Sequence, residues 1–277
     1  MRGSAASSFR KIAVAIWRRP LDPTVHGILE VDMTGALAYL DRLRSSGAGR
    51  PTVTHLIVRA VALALARNPE ANARVRFRRV WLRDSIDVFV QVALDEGNDL
   101  SGILVRNADT KSLLAIDAEV RAEADKVRRR DDALFGRVMG IVRFIPGFVL
   151  SPLLAVAEFL SNAVGLHLPA LGIARRPFGS AMVTSVGMFG IEYGFAPFFP
   201  LADTPLLVCV GRVQDRPAVV EGRIEVRPIC PLGATLDHRL VDGVLAGRLA
   251  QVVRDYLARP EEFEPPPPSA QGTPSGG

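Results

Sequence analysis

The chain has 277 residues, 48% hydrophobic and 23% charged, a globular composition that excludes a disordered chain and leaves room for one large domain or two small ones. Its formal charge of +5, with arginine clusters at 128–130 and 175–176, admits anionic partners. Aromatic content is only 6%, however, and no aromatic residue is interleaved among the basic ones, which argues against nucleic acid. The cluster at 128–130 lies on a run so polar that it reads as a solvated helix face. Cys209 and Cys230 stand singly in apolar runs, with neither metal-ligand nor disulfide spacing. Inert buried thiols, no metal and a reducing, cytoplasmic setting are therefore expected.

In chain order, residues 1–7 have no apolar core for a secretory signal and read as a flexible N-terminus. Residues 27–33 have the β-branched, alternating character of a strand, and 34–43 look helical. The run 54–67 is more strongly helical and stops at Asn68 and Pro69. A strand is expected at 86–94 and an amphipathic helix at 112–130, with Leu113, Leu114, Ile116, Val120 and Val127 toward the core. Residues 206–213 and 219–230 read as two strands, the second bending or turning near Glu221 and Gly222. The Pro-, Gly- and Ser-rich segment 265–277 is expected to be a disordered tail. Helices and strands alternate without a strict βαβ rhythm, which predicts an α/β (α+β) fold, a mixed sheet with helices packed on it.

Residues 133–176 break this pattern. They are apolar and interrupted by Pro146, Pro152 and Pro169, with uncharged runs at 144–157 and 159–174 on either side of Glu158. Each run falls short of the ~20 residues that cross a bilayer. An apolar helical hairpin is expected instead, and three uses for it stay open: extra core or a subunit interface, a lid over an apolar substrate, or a membrane-surface contact flanked by Arg137, Arg143, Arg175 and Arg176.

The segment ATLDHRLVDG at 234–243 carries the chemistry. His238 stands four residues before Asp242, followed by Gly243 and an apolar periodic run of Val244, Leu245, Leu249, Val252, Val253, Tyr256 and Leu257. This reads as a strand ending at His238, a tight turn that needs Gly243, and a helix. An imidazole at such a junction is a candidate general base, because histidine is the side chain that titrates near neutral pH. An exposed loop histidine would give the same short spacing.

The run DHRLVDG at 237–243 resembles the active-site motif of the dihydrolipoamide acyltransferases, the core component of 2-oxoacid dehydrogenase complexes. Chloramphenicol acetyltransferase shares that fold and a His-x-x-x-Asp-Gly signature. Further segments are similar in order: SFRKIA at 8–13, VHGILEVD at 25–32, the helix at 52–72, VRNAD at 105–109, VTSVGMFGI at 183–191 and VGRVQDRP at 210–217. The resemblance covers roughly 8–132 and 179–263. It implies a chloramphenicol acetyltransferase-like mixed sheet flanked by helices, with a catalytic domain at 8–264 interrupted by the apolar helical insert at 133–176. It implies homotrimers with active sites between subunits, entered by coenzyme A from one side and a lipoyl arm from the other. His238 matches the catalytic histidine that takes the proton from an attacking thiol, and the thiolate is the nucleophilic form. Thr184 falls where the family places a hydroxyl that stabilises the oxyanion. Asp242 matches the second polar position, orienting the loop, while Asp237, Arg239 and Gly243 keep the motif in shape. No residue pattern singles out a coenzyme A-binding set.

Departures from the family pattern are equally informative. Ile16 and Trp17 stand where Arg-Met is usual, so an ion pair near the active-site aspartate is missing or moved to Arg18 or Arg19. Gly102 and Ile103 replace Thr-Pro on a strand bordering the substrate channel. The apolar C-terminal knob that joins trimers into cages becomes EEFEPPPP at 261–268, which predicts a trimer that builds no cage. No lipoyl domain precedes Ser8, so no covalent lipoyl group is expected on this chain and acyl groups would come from a separate carrier. The leading expectation is a stand-alone acyl-coenzyme A-dependent acyltransferase. The alternatives are a core served in trans by a lipoyl protein and a non-catalytic scaffold or membrane-surface adaptor.

Overall fold

In the computed structural model the first strand, β1 (Thr24–Asp32), has two unlike faces. Val25, Leu29 and Val31 pack into the core, and His26, Ile28 and Glu30 are exposed on the opposite face, as strand alternation requires. The Asp32 carboxylate then accepts from the Thr34 N–H at 2.9 Å, opening α1 (Thr34–Ser45), which buries Ala36, Tyr39, Leu40 and Leu43. Residues 22–76, 79–94, 99–128, 178–198 and 202–266 are described, with isolated positions 146, 152 and 156.

α2 (Val53–Arg67) starts at a capping box in which the Thr52 hydroxyl accepts from the His55 N–H and the His55 ring accepts from the Thr52 N–H. It ends at Asn68, where the following Pro69 cannot continue a helix. β2 (Ala73–Arg76) and β3 (Arg79–Leu82) form a separate two-stranded ribbon. β4 (Val88–Leu94) and β5 (Asp99–Val105) pair as a hairpin, and α3 (Leu113–Arg128) follows. Leu113, Ile116 and Val120 of α3 are buried and Leu114 partly so.

The remaining strands are β6 (Ala181–Ser185), β7 (Leu206–Val210), β8 (Gln214–Val220) and β9 (Arg223–Asp237), and α4 (Gly243–Ala258) follows them. The main sheet runs β1-β9-β7-β6-β4-β5, with β8 on the first half of β9. β4, β6 and β7 are mutually parallel and the other pairs antiparallel, giving the expected mixed sheet. α1, α2 and α4 pack with the buried side chains of β1, β4, β6, β7 and β9 in one core.

The turn expected near Glu221 and Gly222 separates two full strands, β8 and β9. Both turn residues have positive φ (50° and 79°), as a two-residue type I′ hairpin demands. At Gly102, an added Cβ would overlap the ring of Phe89, whose centroid lies 5.2 Å from that of the tilted Phe178 ring, so that departure makes room for an aromatic neighbour. Residues 16–19, the helical hairpin expected within 133–176 and all but the first two residues of the 265–277 tail lie outside the described residues. Among the described residues no helix is long and apolar enough to cross a membrane.

Candidate active site

β9 ends at Asp237, and the next four residues form a turn held largely by backbone. The Asp237 carbonyl accepts from the N–H groups of both Leu240 and Val241, at 2.9 Å each, and the His238 N–H donates to the Pro23 carbonyl at 2.9 Å. Val241, 1% exposed, anchors the turn in the core. The Asp237 carboxylate accepts from the Arg239 N–H at 3.0 Å and holds that residue's guanidinium through Nε (2.9 and 3.1 Å) and Nη2 (2.6 Å). Asp237 is buried and Arg239 exposed, so the pair braces the turn from outside.

This turn sets the chemistry of His238. Its Nδ1 lies 3.0 Å from the Val241 carbonyl oxygen, which can only accept. The neutral ring therefore carries its proton on Nδ1 and its free lone pair on Nε2, where no described residue engages it, the tautomer a general base needs. His238 is itself exposed in a single chain.

Asp242 stands at the junction of the turn and the helix that follows it. Its Oδ1 accepts from the Leu245 N–H at 2.8 Å, making it the N-cap of α4. Gly243 is the first residue of the helix, without positive φ, and an added Cβ there would meet nothing within 4 Å. The expected requirement for glycine in a tight turn is thus corrected: the turn is built by residues 237–241. Val244, expected in the apolar run, is 66% exposed, while Leu245, Leu249, Val252, Val253, Tyr256 and Leu257 are buried.

Thr184 is not brought to this turn within one chain. It pairs across the sheet with Cys209, and Cys209 with Gly233, five residues before His238 on β9. That is about 16 Å along the strands and about 10 Å across them. Thr184 alternates with the buried Val183 and so faces away from the helices. The segment after it lies on this outer face and exposes Met188, Phe189, Ile191, Tyr193 and Phe195, each between 42 and 65% accessible.

Pattern reading does not single out His26. Its ring sits 4.9 Å from that of Phe195, and its Nδ1 is 3.2 Å from the Thr235 hydroxyl, which donates to the Ala196 carbonyl at 2.9 Å. Thr235 can therefore accept from Nδ1–H, which puts the lone pair of the neutral His26 ring on Nε2. His26, Asp22, Asp203, Asp237 and Arg239 line a cleft of about 450 Å³ beside the turn, together with Val75, Pro197 and Phe198. His238 is not among its lining residues. Strand alternation was the signal that could have found His26, since it puts that residue on the face opposite Val25 and Leu29.

The fold recurs in known structures. The chain is similar to a probable dihydrolipoamide acetyltransferase from Listeria monocytogenes, with a TM-score of 0.63 and 20% identity over 99% of this chain and 97% of that one. With a chloramphenicol acetyltransferase the TM-score is 0.50 at 17% identity, over 85% and 89% of the two chains. The architecture is thus of the chloramphenicol acetyltransferase-like class. More particularly, the model of the 2-oxoacid dehydrogenases acyltransferase (catalytic domain) family matches residues 10–133 and 178–264, and the chain belongs to that family. The interruption of the match coincides with the apolar stretch. Among curated relatives, the chain is 27% identical over 236 residues to the lipoamide acyltransferase component of a branched-chain alpha-keto acid dehydrogenase complex of Pseudomonas putida, covering 83% of this chain and 46% of that protein. It is 24% identical over 239 residues to the dihydrolipoyllysine-residue acetyltransferase component of the pyruvate dehydrogenase complex of Mycoplasma capricolum, covering 84% and 45%. The chain thus spans under half the length of these relatives.

Proposed function

We propose that this chain is an acyltransferase moving an acyl group between coenzyme A and a thiol acceptor, with His238 as general base. The observation that carries this reading is the Nδ1 contact with the Val241 carbonyl, which leaves Nε2 as the only proton acceptor of the neutral ring. Nε2 takes the proton of the attacking thiol as its sulfur adds to the thioester carbonyl. The tetrahedral oxyanion accepts a hydrogen bond from the Thr184 hydroxyl. The intermediate then collapses, releasing the other sulfur, which recovers the proton from the imidazolium.

Thr184 and His238 are too far apart in one chain to act on one carbonyl, so Thr184 comes from a neighbouring copy and the active unit is a homotrimer. The exposed apolar run that follows Thr184 supports this, since a patch of that kind asks for a covering surface. A dihydrolipoyl group on a separate carrier is the acceptor this reading favours, in keeping with the names of the curated relatives.

The test is formation of coenzyme A and S-acetyldihydrolipoamide from acetyl-coenzyme A and dihydrolipoamide, separated by chromatography because the exchange leaves the total thiol unchanged. His238→Ala should lower the rate by about a hundredfold or more while circular dichroism stays unchanged. An unchanged rate in the folded variant would end the enzymatic reading.

A further inference from the structure

A second concavity, of about 330 Å³, lies on the helix side of the sheet between β1 and α4 and shares no lining residue with the cleft beside the His238 turn. Every side chain lining it is apolar or absent, except that of Arg254. Two glycines keep it open. A Cβ added at Gly27 on β1 or at Gly247 on α4 would meet nothing within 4 Å. Arg254 stands seven residues after Gly247, two helical turns along the same side of α4, and is exposed. Among the described residues it has no ion-pair partner.

An apolar trough ending at a single cation has the charge pattern of a receptor for a tail with an acidic head. A polypeptide fits it poorly, because its backbone N–H and C=O groups would find no polar side chain along the trough to satisfy them. Water gains little there for the same reason. The volume lies in the range of small-ligand pockets, about 300–1,000 Å³. From Ala246 to Arg254 the helix rises about 12 Å, the length of an extended chain of roughly ten carbons.

We propose that this groove binds a single-chain amphiphile, with an aliphatic tail of roughly eight to twelve carbons along α4 and an anionic head on Arg254. The site is separate from the acyl-transfer centre, and its test needs no turnover. Laurate, below its micelle concentration, is titrated into the full chain by calorimetry, with dodecanol as the uncharged probe. One equivalent per chain should bind. Gly247→Leu fills the open space and should weaken both probes at least tenfold. Arg254→Gln should weaken laurate several-fold and leave dodecanol unchanged. Circular dichroism should be the same for all three proteins, since Gly247 is exposed on a helix that leucine favours. Absence of laurate binding to the wild-type chain overturns the proposal, as does unaltered binding to both variants. If the wild-type chain takes no laurate and Gly247→Leu changes the sedimentation mass, the groove belongs to a neighbouring copy and the proposal also fails.

Discussion

At His238 the backbone decides which nitrogen can react. The Val241 carbonyl fixes the tautomer, the Pro23 carbonyl holds the His238 N–H, and Asp237 closes the turn with carbonyl and carboxylate together. Asp242 caps the helix behind that turn through one side-chain oxygen, a role an asparagine can also fill. We expect Asp242→Ala to cost about 1 kcal/mol of stability, and Asp242→Asn to keep both stability and acyl-transfer rate. Urea midpoints and initial rates on the two variants decide this. A stable Asp242→Asn protein with no activity would give the carboxylate a direct part in the chemistry. The histidine, the aspartates and their order were legible as side chains in sequence. The Pro23 and Val241 carbonyls were not, because any residue type supplies a carbonyl and only the chain path brings it within 3.0 Å. Gly243 misled for the complementary reason: glycine signals a turn, yet here it merely begins a helix.

Elements were legible where one periodicity acted alone. α2 reads clearly because ten of its residues are buried between Thr52 and the stop at Asn68. β9 reads as shorter than it is, since Pro228 and Pro231 interrupt a strand that nonetheless reaches Asp237. Within α2, His55 joins a cap to a buried charge. Its Nδ1 faces the Thr52 N–H at 3.3 Å and Asp117 Oδ1 at 3.2 Å, while Asp117 is also held by Arg121 and by the Arg50 N–H. Burial lowers the pKa of His55 below the usual 6.5 and outweighs the opposing pull of Asp117. The unfolded chain therefore takes up the proton first as pH falls past 6.5. Stability should decline from there down to the depressed folded value and level off beneath it. His55→Gln keeps a capping-box residue and cannot titrate, so its denaturation midpoint should fall less between pH 7.5 and pH 5.5 than that of the wild type. Equal falls in the two proteins would assign the pH dependence to other groups.

The whole domain is tied together near its C-terminal end by a carboxylate that composition places on the surface. Glu264 belongs to the acidic, proline-rich run at 261–268, but it faces inward. Its Oε1 accepts from Arg59 Nε at 2.8 Å and from the Tyr256 hydroxyl at 3.2 Å, and its Oε2 from the Leu113 N–H at the start of α3, at 2.7 Å. Arg59 also donates to the Ala108 and Asp109 carbonyls, at 3.3 and 2.7 Å. One buried cluster thus links α2, α3, α4 and the turn at 260–264, and burial with the nearby Glu264 charge pushes the Tyr256 hydroxyl far above its ordinary range. Phe263 adds an edge contact to Tyr256 at 5.7 Å and lies beneath the Arg67 guanidinium at 4.9 Å. The side chains of Arg59 and Glu264 are only 9% and 2% exposed, so removing one strands the other's charge in the core. Arg42 and Glu261, in the same region, are 58% and 53% exposed and form a solvated pair. Glu264→Ala should therefore cost about 3–5 kcal/mol, whereas Glu261→Ala should cost less than about 1 kcal/mol. Because a buried ion pair is held at a desolvation cost, Arg59→Met combined with Glu264→Leu should recover part of the loss. Urea denaturation of the three variants measures all of this. Equal losses for Glu261→Ala and Glu264→Ala would mean that the inward clamp does not hold the C-terminal turn in solution.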